Sequence, residues 1–185
     1  SAGYYCAVGA MEQTRCGSRQ VYCPAMSSKP TVVQDGYYSD GGALDVASGK
    51  YNHTAESECS VGWYCVAGQT FVCPSGKYSS SSGSSECTSC SPGMYAGGSN
   101  SSACDSCGAG YETDTYRAAG GTSCAVCAAG KYATDASTEG GTSMCTACPE
   151  GRYGSTAGSS TSNCSGACSA GYYCAVGAME QTRCG

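Results

Sequence analysis

The chain has 185 residues, 18 of them cysteine, while Leu, Ile, Val and Phe together supply only 12, too few for apolar burial to offset the entropy of ordering it. Nine basic and 14 acidic residues leave a net charge of −5 with no Lys/Arg cluster to track phosphates, which argues against nucleic acid as a partner. No apolar run approaches the roughly eighteen residues of a membrane span, and Ser1 does not begin a signal peptide, so targeting segments are expected outside this stretch.

The opening segment SAGYYCAVGAMEQTRCG, Ser1 to Gly17, returns letter for letter as Ser169 to Gly185, a period of 168 residues. Cys168 precedes the second copy, so the residue before Ser1 is expected to be cysteine, and one period then carries 16 cysteines, an even number. Residues 1–32 read as the end of one period, with the GYYC segment followed by Cys16 and Cys23. Residues 33–58 read as two degenerate modules, Val33-Gln-Asp-Gly36-Tyr-Tyr38 and Val46-Ala-Ser-Gly49-Lys-Tyr51, each matching C-x-x-G-x-Y except for the cysteine. Residues 59–167 are tandem cysteine-rich modules starting at Cys59, Cys73, Cys90, Cys107, Cys127 and Cys148; the Cys107 unit moves its tyrosine by one, to Tyr111. Residues 168–185 begin the next period with another C-x-x-G-x-Y unit.

Between module starts the sequence is Gly, Ser, Thr and Asp, including Ser79 to Ser82 and Gly-Gly pairs at 41, 97, 120 and 140, without helical periodicity. Each module is expected to make a tight turn at its Gly, a short extended stretch through its Tyr, and a loop returning to the next cysteine. The tyrosines then cover disulfides or the next module where no aliphatic core exists, in preference to stacking on sugars. The predicted fold class is small and disulfide-rich: an elongated tandem array of short loop and β-hairpin modules, with little helix and no large hydrophobic core.

From Cys87 onward the C-x-x-C spacing also fits zinc ribbons. Scarce basic residues and three N-x-S/T sequons, at Asn52, Asn100 and Asn163, favour disulfides in an oxidising, secretory compartment. The only three asparagines of the chain each open a sequon, and Asn163 is the weakest acceptor because its middle residue, Cys164, is expected in a bridge. His53, the only histidine, lies inside a sequon and is expected to be exposed. A hydrolytic triad would need that one imidazole held in a preformed cleft, so no catalytic site is expected. Asp35, Asp40 and Asp45 sit in a Gly-rich stretch, but their spacing is wrong for an EF-hand and they read as solvated loop carboxylates. Repeated C-x-x-C pairs fit structural bridges better than a thiol-exchange centre. No metal and no cofactor are expected.

The stretches Cys59-Ser-Val-Gly-Trp-Tyr-Cys65 and Cys168-Ser-Ala-Gly-Tyr-Tyr-Cys174 resemble the C-P-x-G-Y-Y-C signature of cysteine-rich ephrin-receptor-like repeats. Cys73-Pro-Ser-Gly-Lys-Tyr-Ser79 and Cys148-Pro-Glu-Gly-Arg-Tyr153 resemble its C-P-x-G-x-Y-S form, and the array is more loosely similar to the modules of tumour necrosis factor receptors. Long arrays of this type are similar to the algal proteins that build mastigonemes, the hair-like filaments of flagella. The resemblance implies that each unit closes its own loop, with bridges Cys73 to Cys87, Cys90 to Cys104, Cys107 to Cys124, Cys127 to Cys145 and Cys148 to Cys164. The chain departs from the family at Val33 and Val46, where expected bridges are absent. Cys6, Cys16, Cys23, Cys59, Cys65 and Cys168 are left with 15 possible pairings per period, and Cys174 and Cys184 repeat Cys6 and Cys16. Cys23, the least motif-bound, is the candidate for an unusual or intermolecular bridge, although the even count favours an intramolecular partner.

The leading expectation is an extracellular structural glycoprotein, at the cell surface or flagellum, that forms or lines a filament by association with copies of itself and carries N-linked and O-linked glycans. The alternative from a different class is the stalk or binding module of a receptor or adhesion ectodomain. An intracellular zinc array is the third reading.

Overall fold

The computed structural model describes residues 1–116, 118–135 and 144–185. The Gly-Gly pair at 140 lies outside them. Among the described residues there is no helix, and the strands, most only two residues long, form eleven antiparallel two-stranded pairs. The fold is small, disulfide-rich and built of hairpins.

Each module makes its first turn on the glycine three residues after its start. In Ser60-Val61-Gly62-Trp63 the Trp63 amide donates to the Ser60 carbonyl at 3.1 Å, and Gly62 holds φ +77°, the third position of a type II turn. The same bond links Met94 to Ser91, Lys131 to Ala128, Arg152 to Pro149 and Tyr172 to Ser169. Beyond the turn, the stretch containing the tyrosine pairs with the residues just before the next module: Met94–Tyr95 with Asp105–Ser106, Lys131–Tyr132 with Thr146–Ala147, Arg152–Tyr153 with Gly166–Ala167. The amide of the next start residue then donates to the turn glycine, as from Cys73 to Gly62 at 3.0 Å and from Cys168 to Gly151 at 3.0 Å. Strands this short cannot hold alone in water, so a covalent link must do what pairing cannot.

Residues 33–58 correct the reading of two degenerate modules, because they fold as one. Tyr37–Asp40 pairs with Ala55–Glu58, and the Cys59 amide donates to the Gly36 carbonyl at 2.9 Å, closing the loop that began at Val33. Leu44–Asp45 and Lys50–Tyr51 form a second hairpin inserted in that loop, so Gly49 turns the insert and starts nothing. Val33 is only 5% exposed: it occupies the buried position a start cysteine would take, filling it with apolar volume instead of a bridge.

Two series of buried residues, each a column when the modules are aligned in sequence, replace a conventional core. One is the start residue of each module, including Cys16, Val33, Cys59, Cys73, Cys90, Cys107, Cys127 and Cys148. The other lies six residues after the start in every module from Cys59 onward and is always small: Cys65, Ser79, Ala96, Thr113, Ala133, Gly154 and Cys174. Its size limit is steric. A β-carbon on Gly154 would stand 2.9 Å from the Cys148 sulfur.

The chain forms two compact units, one of Ser1–Pro74, Tyr78–Thr88 and Asn100–Ser102, the other of Ser75–Lys77, Ser89–Ser99 and Ala103–Gly185. Within the first, the Gly36 amide donates to the Cys65 carbonyl and Gly62 to Ser79, each bond reaching from one module to the next at 2.8 Å. In the opposite direction Gly83 donates to Cys59 and Asn100 to Cys73, also at 2.8 Å. Within the second unit the forward bonds run from Gly76 to Ala96, Gly110 to Ala133 and Gly130 to Gly154, and the return bonds from Gly120 to Cys90, Gly158 to Cys127 and Gly177 to Cys148. The donors of the return bonds all have positive φ, and each lies against the turn glycine two modules earlier, where a β-carbon on Gly36, Gly62, Gly76, Gly110 or Gly130 would strike backbone.

Candidate functional site

The residue in the small column decides how the sulfur atoms pair. Where that residue is cysteine, the start cysteine bridges to it: Cys59 to Cys65 and Cys168 to Cys174, with Cα atoms 5.8 and 6.2 Å apart. Cys16 bridges Cys23 in the same way across one extra residue. Where it is Ser, Ala, Thr or Gly, the start cysteine reaches across the loop: Cys73 to Cys87, Cys90 to Cys104, Cys107 to Cys124, Cys127 to Cys145 and Cys148 to Cys164. In this chain Cys23 is paired intramolecularly with Cys16, because the Val21–Tyr22 strand carries it to the buried position beside that cysteine. Cys6 and Cys184 are exposed free thiols. Each C-x-x-C pair divides between two bridges, its first cysteine ending one loop and its second opening the next, as Cys87 and Cys90 do. No group of three or more His, Cys, Asp or Glu side chains is placed to hold a metal ion among the described residues.

Asp40 and Asp45 are engaged separately. Asp40 accepts from the Gly41 amide at 2.6 Å and the Ser57 hydroxyl at 2.8 Å. Asp45 accepts from Ser48 at 2.6 Å and Ala47 at 3.2 Å, with Arg15 at 3.5 Å. These donors hold both carboxyls below the usual carboxylate range, led by Ser57 for Asp40 and Ser48 for Asp45. Asp35 is exposed beside the Gly36 turn.

The three sequons differ in access. Asn52 is half-buried, its Oδ1 accepts from the Ala43 amide at 2.7 Å, and the Thr54 hydroxyl donates to the Gly41 carbonyl at 2.8 Å. Asn100 and Asn163 are exposed, the latter beside the Cys148–Cys164 bridge.

His53 corrects the expectation of an exposed imidazole: it is 8% exposed. Its ring stacks on Tyr51, with centroids 4.9 Å apart and planes 10° from parallel, and neither ring nitrogen has a hydrogen-bond partner among the described residues. Burial lowers its pKa, and the Arg19 guanidinium lowers it further against the opposing charge of Asp40. The inserted hairpin carries Tyr51, and with it His53, to this position. Arg19 crosses the Tyr51 ring, donating through Nε to the Tyr51 hydroxyl at 2.9 Å and through Nη1 to Gln69 Oε1 at 3.3 Å. With Tyr38 and Thr70 these side chains line a recess of about 270 Å³. Arg19, Tyr51 and Gln69 together present polar groups that suit contact with a polar ligand. The cue in the sequence was weak, since Arg19, Tyr51, His53 and Gln69 share no motif. The small column, by contrast, was visible as a run of Cys, Ser, Ala, Thr, Ala, Gly and Cys at one fixed offset.

Among the described residues eight disulfides staple modules that are interlocked by backbone hydrogen bonds, a density of bridges consistent with an oxidising, extracellular setting. No helix among the described residues is long and apolar enough to cross a membrane. No protein-family model matches the chain, and no curated protein matches it.

Proposed function

We propose that the chain is an extracellular structural glycoprotein whose disulfide-stapled modules repeat to form or line a filament, similar to the mastigoneme hairs of algal flagella. The observation that carries this reading is the module-to-module ladder. Turn glycines donate forward, left-handed loop residues donate back, and a buried bridge sits at most module starts, an arrangement that leaves little slack backbone under tension. Tandem repetition of one unit naturally extends into open assemblies. Copies of the same chain are the partners, and N-linked glycans on the exposed Asn100 and Asn163 hydrate the surface.

The test is unreduced mass spectrometry of native material combined with electron microscopy. Bridged cysteines, sugar on Asn100 and filaments labelled by an antibody to the chain are expected. An unglycosylated chain with reduced or zinc-bound thiols would overturn the reading.

The recess beside His53 favours a second reading, a stalk that presents a recognition surface. It predicts an elongated monomer or dimer that binds a polar ligand and loses that binding on Arg19→Ala; a native species of high mass with no such ligand would exclude it.

A further inference from the structure

The segment SAGYYCAVGAMEQTRCG occurs twice with identical residues but in two complementary environments, each inside its own unit. In the copy Ser1–Gly17 the downstream side is covered. The Gly3 amide donates to the Cys23 carbonyl at 2.8 Å and Cys6 to Ser27 at 3.0 Å; Gly17 exchanges backbone bonds with Tyr51; Arg15 meets Asp45 at 3.5 Å; and Cys16 bridges Cys23. A β-carbon on Gly3 would strike the Asn52 carbonyl. In the copy Ser169–Gly185 those groups are uncovered. Nothing lies near the β-position of Gly171, the counterpart of Gly3, and Cys184, the counterpart of Cys16, is an exposed thiol.

The upstream side is the mirror case. In Ser169–Gly185 the Cys174 carbonyl accepts from Gly151 at 2.9 Å, Ala178 accepts from Gly154 at 2.9 Å, Gly177 donates to Cys148 at 2.8 Å, and Cys168 bridges Cys174. There Val176 is 66% exposed and Met179 60%, whereas their counterparts Val8 and Met11 in the first copy are 99% and fully exposed. Cys6, the counterpart of Cys174, is the other free thiol. Both unpaired cysteines thus belong to the uncovered side of a segment whose covered copy shows the missing bridge.

We infer that Ser169–Gly185 is a docking segment whose occupant is the Ser18–His53 region of another copy of the 168-residue period, and that this seam is sealed by a disulfide from Cys184 to that region's Cys23. This deepens the reading of a repeating array and rests on it, but not on the filament: a native species that is a lone stalk would sink the filament and leave the seam intact. The seam reproduces what Ser1–Gly17 makes in this chain, namely the Gly3, Cys6 and Gly17 backbone bonds, the Arg15 ion pair and the Cys16 bridge, now offered by Gly171, Cys174, Gly185, Arg183 and Cys184. Bridge formation takes two thiols to one disulfide. Two protons and two electrons pass to a small-molecule disulfide such as oxidised glutathione, which leaves as two thiols.

The intact chain already covers its own Ser18–His53 region with Ser1–Gly17, so the test uncovers that region. A chain of residues 18–185 lacks both Cys6 and Cys16, leaving thiols only at Cys23 and Cys184. It is expected to refold with oxidised glutathione into head-to-tail oligomers that run as a ladder without reductant, with a Cys184–Cys23 peptide found by mass spectrometry. Added Ser1–Gly17 peptide should collapse the ladder to monomers linked to the peptide at Cys23, and the intact chain should stay monomeric with Cys6 and Cys184 both alkylated. A monomeric 18–185 chain that keeps its Cys59–Cys65 bridge, with Cys23 and Cys184 freely alkylated, overturns the inference. Should that chain misfold, an intact chain followed by a second copy of Ser18–Pro74 decides. There Cys184 is expected to be protected and linked to the added copy of Cys23, and a Cys184 that still alkylates overturns the seam.

Discussion

The Asn100 amide donates to the Cys73 carbonyl at 2.8 Å while Asn100 itself holds φ +65°, the left-handed conformation that Gly83, Gly120, Gly158 and Gly177 adopt where they make the same bond. Asparagine is the side chain that best tolerates this region after glycine, so the position satisfies the ladder and a glycosylation sequon together. Asn100→Gly should remove the sequon and leave stability unchanged or slightly raised. Asn100→Val should also remove the sequon and cost about 1–2 kcal/mol, because a β-branched residue resists left-handed backbone. Denaturant unfolding with disulfides intact separates the two.

The turn glycines are required twice over. Gly130 has φ +78°, and a β-carbon on it would strike the Gly177 carbonyl two modules on. Gly130→Ala should therefore cost clearly more than the roughly 1 kcal/mol expected of left-handed backbone alone. Gly151, with φ +79° and nothing near its β-position, is the internal control, and Gly151→Ala should cost only the backbone term. Unfolding midpoints of the two variants provide the comparison, and equal losses would contradict the interlock.

Gly154 tests the rule by which the small column directs pairing. Its β-position lies 2.9 Å from the Cys148 sulfur, which sits in the same relation to residue 154 as Cys59 does to its partner Cys65. Gly154→Cys is expected to divert Cys148 to position 154 and release Cys164 as a thiol. Peptide mapping after alkylation reads this directly, and an undisturbed Cys148–Cys164 bridge with a free thiol at 154 would refute the rule.

Two acid transitions are expected. His53 is buried and its folded pKa lies below the unfolded value near 6.5, so the unfolded chain binds the proton first. Stability is whole above that unfolded value and falls as pH drops through the folded one; His53→Phe should flatten this limb of a Tm-against-pH curve. Asp114 accepts from the Thr122 hydroxyl and, at 2.9 Å, from the Thr122 amide, which hold its pKa at about 2. Its contribution is present above the usual Asp value near 3.9 and is lost as pH falls through about 2, a second limb that Asp114→Asn should weaken.

The hairpin modules were legible because their cues are local. A glycine three residues after each start forces the turn, and a tyrosine just beyond it enters the strand, all within a span of six residues such as Cys90 to Tyr95. The pattern misled at Val46, where the same spacing without cysteine only turns an inserted hairpin, and at His53, whose burial depends on Tyr51 and on Arg19 from a distant loop. The recess left no motif because its residues come from four separate segments, around Arg19, Tyr38, Tyr51 and Gln69, and meet only after folding.

By itself the sequence determined that crosslinks replace an apolar core, that the chain turns at each motif glycine, and that a 17-residue segment returns after 168 residues. Those properties follow from composition and from neighbours a few residues apart, where sterics at one glycine suffice. Only the tertiary structure decided that Val33 fills a cysteine's place, that residues 33–58 make one module, and which side chains share a buried column. Such contacts join Gly36 to Gly83 or Gly62 to Asn100 across the intervening modules. Close packing at that separation depends on the backbone paths between, and local spacing does not encode those paths.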